Sequence, residues 1–197
     1  MCGVRQARRR HGDLGPGLLT VASGRPRLSV YIAASLDGFI AKTDGDLGWL
    51  EASARADEDY GYDAFLADVD ALAMGRGTYD HIASIDPLPF GERPVYVFTH
   101  QAAAPREGVT FWELDAAPAV QRWTELGHRH VYVDGGILIS SFLKDGLIDD
   151  LTITVAPVLL GDGIRLFPGG FPQISLALDD TRAFPSGMVT LRYRVSG

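Results

Sequence analysis

The chain has 197 residues, of which 46% are hydrophobic and 22% charged, a composition typical of folded globular proteins. The formal net charge is −7, and because residues 1–27 hold six Arg against one Asp (+5), the rest of the chain carries −12, which argues against nucleic acid as a partner. No apolar run reaches the roughly 18–20 residues that a membrane span needs, and the single Cys2 cannot form an internal disulfide, so we expect a protein of the reducing cytoplasm.

Residues 1–27 show neither helical nor strand periodicity, and Gly and Pro recur among them. We therefore predict a disordered or loosely ordered leader, followed by one domain over residues 28–197. A basic arm that binds nucleic acid, or a targeting peptide, is the alternative. The apolar core of a secretory signal is missing from this segment.

From residue 28 onwards, apolar runs alternate with amphipathic segments. The runs are apolar on both faces, which predicts buried parallel strands, and the segments between them predict helices. In chain order, the predicted strands cover 28–34, 70–75, 93–99, 109–114 and 130–136, and the predicted helices cover 56–69, 76–84, 116–127 and 137–146.

The pattern changes after residue 150. Apolar residues alternate with Thr152 and Thr154 in 150–161, and with Thr and Arg residues in 188–195. A period of two with one polar face predicts antiparallel strands that are half open to water. We therefore predict an α/β protein with a mixed sheet, mostly parallel, with antiparallel C-terminal strands and helices on both faces.

The stretch "MGRGTYD" (74–80) follows a predicted strand and opens a predicted helix. Gly75 would let the backbone approach a ligand, Arg76 offers a guanidinium fork for phosphate, and Thr78 offers a hydroxyl beside free helix N–H groups. The structural alternative is a glycine turn with Thr78 as a helix cap.

The stretch "VYVDGGILISSFLKDG" (131–146) also reads as strand, two glycines and helix. Gly135 and Gly136 would point the amides at the start of the helix into a cleft, although pure packing explains such a junction as well. Thr99 and His100 end a third predicted strand. Three such junctions along one rim of one sheet favour a nucleotide ligand.

The long loop 34–50 follows the first strand and has the length of a lid. Asp37 adjoins the strand end, where open α/β sheets bind ligands, and Trp49 could cover a planar ring. Alternatively, Asp37 forms an Asx-turn and Trp49 fills the core. Metalloprotease, zinc-ribbon, hydrolase-elbow and Walker motifs are missing, so we predict no metal site. We expect His128 and His130 to line the solvent side of a strand.

These stretches resemble the dihydrofolate-reductase-like fold. The closest resemblance is to the C-terminal reductase domain of bifunctional riboflavin-biosynthesis proteins and its stand-alone relatives, over about residues 28–195. The shared motifs are "SLDGFIA" (35–41), "MGRGTY" (74–79), "VYVDGG" (131–136), "LIDDLTITVAPVLLGDGIRLF" (147–167) and the final strand. The resemblance implies a homodimer that binds NADPH across the sheet edge and reduces a small heterocyclic or conjugated substrate of pyrimidine or pterin type. The 5-amino-6-(5-phosphoribosylamino)uracil reductase activity of riboflavin biosynthesis is the family's example.

The resemblance also implies roles for individual residues. Arg76 and Thr78 would take the adenosine-side phosphates, Thr99 and His100 would lie near the ribose 2′-phosphate, and the two glycines would admit the pyrophosphate. The full predicted cofactor set is Ala34, Gly75, Arg76, Thr78, Thr99, His100, Asp134, Gly135, Gly136 and Ile137. The predicted substrate residues are Ser35, Asp37 and Trp49, with Asp37 as the catalytic group.

The sequence departs from the related enzymes in two respects. No cysteine-rich zinc deaminase accompanies the predicted domain, and folate reductases have Pro-Trp in the lid with an acid soon after it. Here Gly48 precedes Trp49, and Ala54 stands where the acid would be. Folate is therefore not the expected substrate. A nucleotide-binding module of the same fold that has lost turnover is the alternative to an enzyme.

Overall fold

The computed structural model describes residues 24–196. Ten strands and five helices follow one another along this part of the chain. They are β1 (Arg27–Ser35), β2 (Phe39–Ala41), α1 (Gly48–Ser53), α2 (Tyr62–Asp68), β3 (Ala71–Gly75), α3 (Arg76–Ile82), β4 (Val95–Phe98), β5 (Val109–Trp112), α4 (Ala116–Glu125), β6 (His130–Asp134), α5 (Gly136–Lys144), β7 (Asp150–Ala156), β8 (Ile164–Arg165), β9 (Ser175–Ala183) and β10 (Val189–Ser196).

Eight of the strands form one sheet in the order β5-β4-β3-β6-β1-β7-β10-β9, and β2 pairs with β8 in a small second sheet. All neighbours from β5 to β7 are parallel. The pairs β7–β10 and β10–β9 are antiparallel. The predicted fold class, a mostly parallel sheet with antiparallel C-terminal strands, is confirmed.

Helices cover both faces of the parallel strands, as predicted. Successive strand residues point to opposite faces, so Ala71 and Ala73 join the core under α4 and α5, which includes Trp123 and Phe142. Leu72 and Met74 join the other core, with side chains of α2 and α3. Burial on both faces explains why these strands are apolar throughout and could be recognised from the sequence.

The prediction for 150–161 is wrong in one respect. Thr152 and Thr154 are 8% and 4% exposed, not open to water, because β7 lies between β1 and β10 inside the sheet. Thr154 Oγ1 shares a hydrogen bond of 2.8 Å with Thr190 Oγ1 on β10, which satisfies the buried hydroxyl of Thr154. The alternation along β7 therefore reflects buried threonines, one of them hydrogen-bonded to β10, and not a strand face exposed to solvent.

Five elements differ from the sequence expectation, and two of them are the short strands β2 and β8, which were not predicted. Strand β9 was not predicted, because its Asp and Arg residues lie exposed on the sheet edge and give no apolar signal. The short helix α1 was also missed. Helix α2 begins at Tyr62 and not near residue 56, because Gly61 precedes it with a φ of +92° that interrupts the helical backbone.

The predicted leader boundary at residue 27 also needs correction. Arg25 forms a bidentate ion pair with Asp149, in which both N–O distances are 2.8 Å. Arg27 Nε donates to Asp150 at 2.8 Å. Residues 25–27 are thus attached to the domain. The rest of the leader prediction concerns residues 1–23, which lie outside the described part of the chain.

His130 is buried and does not line a solvent face. Its Nε2 lies 2.7 Å from Ser29 Oγ, and its Nδ1 lies 3.0 Å from the carbonyl oxygen of Asp68. Ser29 in turn donates to Asp150. The contacts run from His130 through Ser29 to Asp150, and because Ser29 is fully buried they join β1, β6 and β7 at their amino ends. None of the helices in residues 24–196 is long and apolar enough to cross a membrane.

Candidate active site

One cavity of about 830 Å³ runs along the carboxyl ends of the parallel strands. It is the place where open α/β sheets bind ligands. The cavity collects nine of the ten residues predicted to bind the cofactor, namely Gly75, Arg76, Thr78, Thr99, His100, Asp134, Gly135, Gly136 and Ile137. The tenth, Ala34, is 3% exposed within the core and does not line the cavity, so its assignment is corrected.

The β3–α3 junction is open toward the cavity. No heavy atom lies within 4 Å of the position that a Cβ would take at Gly75 or at Gly77, so a ligand can approach the backbone there. Arg76 Nε donates to Asp80 Oδ1 at 2.7 Å. Its Nη1 is buried and has no hydrogen-bond partner within residues 24–196. Nε is thus the one guanidinium nitrogen that is hydrogen-bonded within these residues, so the side chain keeps donor groups for a ligand.

The β6–α5 junction shows why the chain needs two successive glycines. Gly135 has a φ of +94°, and a Cβ on it would lie 2.7 Å from Thr78 Oγ1. A Cβ on Gly136 would lie 2.5 Å from the carbonyl oxygen of Arg165 and 2.7 Å from that of Leu166. Both glycines are thus required by contacts within the protein, as the packing alternative held. These contacts set the amino end of α5 against α3 at the cavity wall.

The start of α5 can receive an anion. No side chain caps this nine-residue helix, so the N–H groups of its first turn carry the positive end of the helix dipole without a capping partner. Ile137 lies in this turn with 81% of its side chain exposed at the cavity. An exposed Ile beside free amides is a surface that a bound ligand would cover.

Asp134 brings a carboxyl group to the same cavity. Burial raises its pKa to about 6, although the N–H of Gly135, at 2.8 Å, and the side chain of Tyr132 favour the charged form and hold the pKa down. A carboxyl group with a pKa near neutral, placed in a cleft, is a candidate proton donor. The sequence placed Asp134 at the site but gave no sign of this role.

Aromatic residues form the end of the cavity beyond Asp134, and sequence reasoning missed them. We call this the tyrosine end: Tyr31, Tyr62 and Tyr132, with Leu47 and Leu50. The pattern gave little signal, because tyrosines in strands and helices are more often core residues. The period of two along β1 places Tyr31 on the face opposite Val30, and near the end of this strand Tyr31, Ile32 and Ala33 all line the cavity.

The structure gives Asp37 and Ser35 a different place from the predicted one. Neither lines the cavity. Asp37 accepts hydrogen bonds from Ser35 Oγ at 2.6 Å and from the N–H groups of Leu160 and Gly161 at 3.1 and 2.7 Å. The Ser35 bond and the backbone bonds lower the pKa of Asp37 to about 2. The carboxylate ties the β1–β2 turn to the loop after β7, and an acid this strong is a poor proton donor.

Trp49 fills the core, which was the structural alternative. It is 7% exposed and packs in a cluster with Ala156, Phe184 and Met188, away from the cavity. Its neighbours Leu47 and Leu50 line the cavity instead. The predicted substrate residues Ser35, Asp37 and Trp49 are therefore not brought to the cavity.

The loop between β2 and α1 leans across the cavity mouth. A Cβ on Gly45 would lie 2.9 Å from His81 Cε1 of α3, so the loop and α3 are in contact there. Lys42 and Asp46 close the loop with an ion pair of 2.7 Å. At the far end of the cavity, His100 Nδ1 lies 3.0 Å from Glu113 Oε1.

The fold and site agree with a known family. A model described as the RibD C-terminal domain matches residues 26–190. The chain belongs to the RibD C-terminal domain family. It is 37% identical over 158 residues to the uncharacterized protein YwjB of Bacillus subtilis, which covers 79% of this chain and 90% of YwjB.

Other proteins are similar to this chain in sequence or in fold. The riboflavin biosynthesis protein RibD of Corynebacterium ammoniagenes is 30% identical over 174 residues, covering 77% of this chain and 49% of RibD. A crystal structure from Shewanella sp. PV-4, whose name connects it with riboflavin biosynthesis, has a TM-score of 0.80 and 31% identity, covering 87% of this chain and 99% of that one. A pyrimidine reductase-like protein of Corynebacterium diphtheriae, 16% identical with a TM-score of 0.66, covers 91% of this chain and 95% of that one and supports the fold.

Replacing Gly136 tests the packing at the β6–α5 junction. Because its Cβ would meet two backbone carbonyl oxygens that cannot rotate away, we expect Gly136→Ala to lower the free energy of unfolding by roughly 1–3 kcal/mol. Gly77→Ala is the matched control: it also changes a glycine in the first turn of a helix at the cavity, but into open space. Urea denaturation measures both. Equal stability of the two variants would contradict the packing account.

Replacing Asp134 tests its raised pKa. Between about pH 4 and pH 6 the unfolded chain loses this proton before the folded chain does, so Asp134 reduces stability as the pH rises and the penalty persists above pH 6. We expect Asp134→Asn to be more stable than wild type by roughly 1–3 kcal/mol at pH 7, and by much less at pH 4. Thermal or urea unfolding at both pH values measures this. The exposed Asp145→Asn is the control, and a gain that does not depend on pH would contradict the assignment.

Proposed function

We propose that this protein is an NADPH-dependent reductase that acts by hydride transfer on a small heterocyclic or conjugated substrate of pyrimidine or pterin type. The observation that carries the proposal is one cavity with groups able to bind phosphate at three strand ends and, beyond them, a carboxyl group of raised pKa among aromatic rings. Membership of the family supports a reductase role in riboflavin biosynthesis. We keep the reducing cytoplasm as its expected location.

The phosphate-binding groups suit a dinucleotide bound to an acidic protein. An anionic ligand needs local positive charge against a net charge of −7. Arg76 supplies it through its Nη1 group, which has no hydrogen-bond partner within residues 24–196, and the first turn of α5 adds backbone N–H groups on the other wall. Thr99 and His100 extend the same rim to the end of β4.

The other half of the cavity suits a hydride acceptor. When bound, NADPH supplies the hydride. Asp134 then has two tasks: it fixes polar atoms of the acceptor by hydrogen bonding, and in its protonated form it donates the proton that balances the added hydride. With a pKa of about 6, roughly a tenth of the carboxyl groups carry that proton at pH 7. Apolar side chains from α1 and β2 exclude water from the reacting atoms.

We also propose that the protein is a homodimer. Strand β9 forms one edge of the large sheet, and it exposes Leu176 by 42% and Leu178 by 55%. An exposed edge with apolar side chains is a surface that a partner strand or face covers. This chain spans about half the length of RibD, so we do not argue for a dimer from the bifunctional relatives.

Light scattering at micromolar concentration tests the dimer. We expect a particle of about twice the chain mass of 21.3 kDa. Leu178→Lys places a charge on the exposed edge, so it should shift the species toward the monomer without lowering the thermal stability of the monomer. The exposed Leu126→Lys on the opposite part of the molecule is the control. A wild-type protein that scatters only as a 21.3 kDa particle would refute the dimer.

Replacing Arg76 tests the reductase proposal. Loss of a charged hydrogen bond costs about 1.5–3 kcal/mol, so Arg76→Ala should weaken NADPH binding by roughly ten- to a hundredfold. We expect Arg76 to bind the 2′-phosphate, which NADH lacks, so the affinity for NADH should fall much less. Calorimetric titration of both cofactors measures this. Arg122→Ala is the matched control, because Arg122 also pairs with an acid on its own helix but lies on α4, outside the cavity lining.

Each outcome of that titration has a meaning. Equal losses for both cofactors would assign Arg76 to the shared pyrophosphate. No loss for either would contradict the phosphate-binding role of the β3–α3 junction. Binding without NADPH oxidation by any pyrimidine or pterin acceptor would favour the alternative, a nucleotide-binding module without turnover.

A further inference from the structure

The tyrosine end of the cavity has rigid aromatic walls. The rings of Tyr31 and Tyr62 are 5.4 Å apart at 60°, and those of Tyr62 and Tyr132 are 6.4 Å apart at 71°. Two of the hydroxyls are fixed by backbone acceptors: Tyr31 donates to the carbonyl of Tyr60 at 2.6 Å, and Tyr132 donates to that of Tyr31 at 2.7 Å. Rings held in this way form a preformed surface for a planar ligand.

The side chains that line this end are uncharged or acidic, and Arg93, whose charge acts on Tyr62, donates to backbone carbonyls outside the cavity lining. Burial raises the pKa of Tyr31 to about 12 and raises those of Tyr62 and Tyr132, so all three phenols are uncharged at neutral pH. Asp134 adjoins them, since its charge contributes to the raised pKa of Tyr62. A carboxylate beside uncharged aromatic rings repels a phosphate group and gives it no counter-charge.

The positive charge of the cavity lies elsewhere. Among the lining residues of the described chain, Arg76 is the only Arg or Lys, and it belongs to the β3–α3 junction, where Asp80 holds it. If NADPH occupies that junction, it also occupies Arg76. Within residues 24–196, the cavity lining then offers no other Arg or Lys to bind the phosphate of a second molecule. The nucleotide and the substrate thus meet very different electrostatic surroundings in one cavity.

We propose that the substrate of this reductase carries no phosphate and is an uncharged planar heterocycle bound against Tyr62 at the tyrosine end. The inference rests on the proposed reductase function and narrows its substrate class. It separates this chain from proteins such as the Thermotoga maritima structure named as a 5-amino-6-(5-phosphoribosylamino)uracil reductase, which has 17% identity and shares the fold. Tyr62 supplies the stacking surface, and Asp134 faces the ring edge.

A matched pair of ligands tests the inference on the full chain. The first is 5-amino-6-(5-phosphoribosylamino)uracil, and the second is the same compound after removal of its phosphate by a phosphatase. With the protein saturated by NADPH, calorimetry measures the affinity for each. We expect the form without phosphate to bind at least about tenfold more tightly. Equal or tighter binding of the phosphorylated form would overturn the inference, and so would failure of both forms to bind.

Variants of Tyr62 locate the binding surface. Stacking on an aromatic side chain is worth about 1–3 kcal/mol per base. Tyr62→Ala should therefore lower the affinity for the ligand without phosphate by roughly 5- to 100-fold. Tyr62→Phe keeps the ring and should retain most of the affinity. Both variants should bind NADPH within about twofold of wild type, which also shows that they are folded. An affinity that Tyr62→Ala leaves unchanged would overturn the assignment.

The same experiment keeps the two proposals apart. If the wild-type protein fails to bind NADPH, the proposed reductase function fails before the substrate is added. If NADPH binds and the phosphorylated form is preferred, the reductase proposal stands and the substrate inference fails. Tyr62→Arg adds a cation to the tyrosine end and should shift the preference toward the phosphorylated form, whereas an unchanged preference would contradict the electrostatic argument.

Discussion

The close contact between Gly136 and the carbonyl oxygens of Arg165 and Leu166 holds the cavity together. It presses the start of α5 against the segment of β8, which in turn pairs with β2. The neighbouring contact of Gly135 with Thr78 brings α5 to α3 on the other side. A side chain at Gly136 would push α5 away from β8, and one at Gly135 would push it away from α3. The open backbone at Gly75 and Gly77 would then lie at a different distance from the start of α5. The tight packing at Gly135 and Gly136 thus sets the width of the cavity beside them.

Three carboxylates show how surroundings decide the role of one functional group. Asp37 receives hydrogen bonds from a hydroxyl and two amides, so it is strongly acidic and acts as a tether. Asp134 is buried with fewer donors, so its proton is retained to nearly neutral pH. Asp80 is exposed and occupies one side of Arg76. If an acidic protein is to bind an anion, it has to restrain its carboxylates in this way, and here each one supports the fold, holds Arg76 or faces the cavity.

The parallel half of the fold and the residues that line the cavity at the strand ends could be predicted from the sequence because their signals are local. A strand that is buried on both faces is apolar throughout, and a glycine followed by Arg and Thr at a helix start shows its chemistry within a few residues. The exposed strand β9 and the short helix α1 have no such pattern. The roles of Asp37 and Trp49 depended on residues more than a hundred positions away, Gly161 and Phe184, so their neighbours in sequence could not distinguish a ligand from a core contact. The tyrosine end was missed for the same reason, since Tyr31, Tyr62 and Tyr132 meet only in the folded chain.

A crystal structure of the full chain with NADPH bound tests the account most directly, because it locates each phosphate and the reacting ring at once. The account predicts pyrophosphate oxygens within hydrogen-bond distance, about 2.7–3.2 Å, of the N–H groups in the first turn of α5, and a phosphate oxygen on Arg76 Nη1. It also predicts the nicotinamide on the Asp134 side of the cavity, with the tyrosine end still open beyond it. A cofactor bound outside this cavity, or a cavity that stays empty at saturating NADPH, would contradict it.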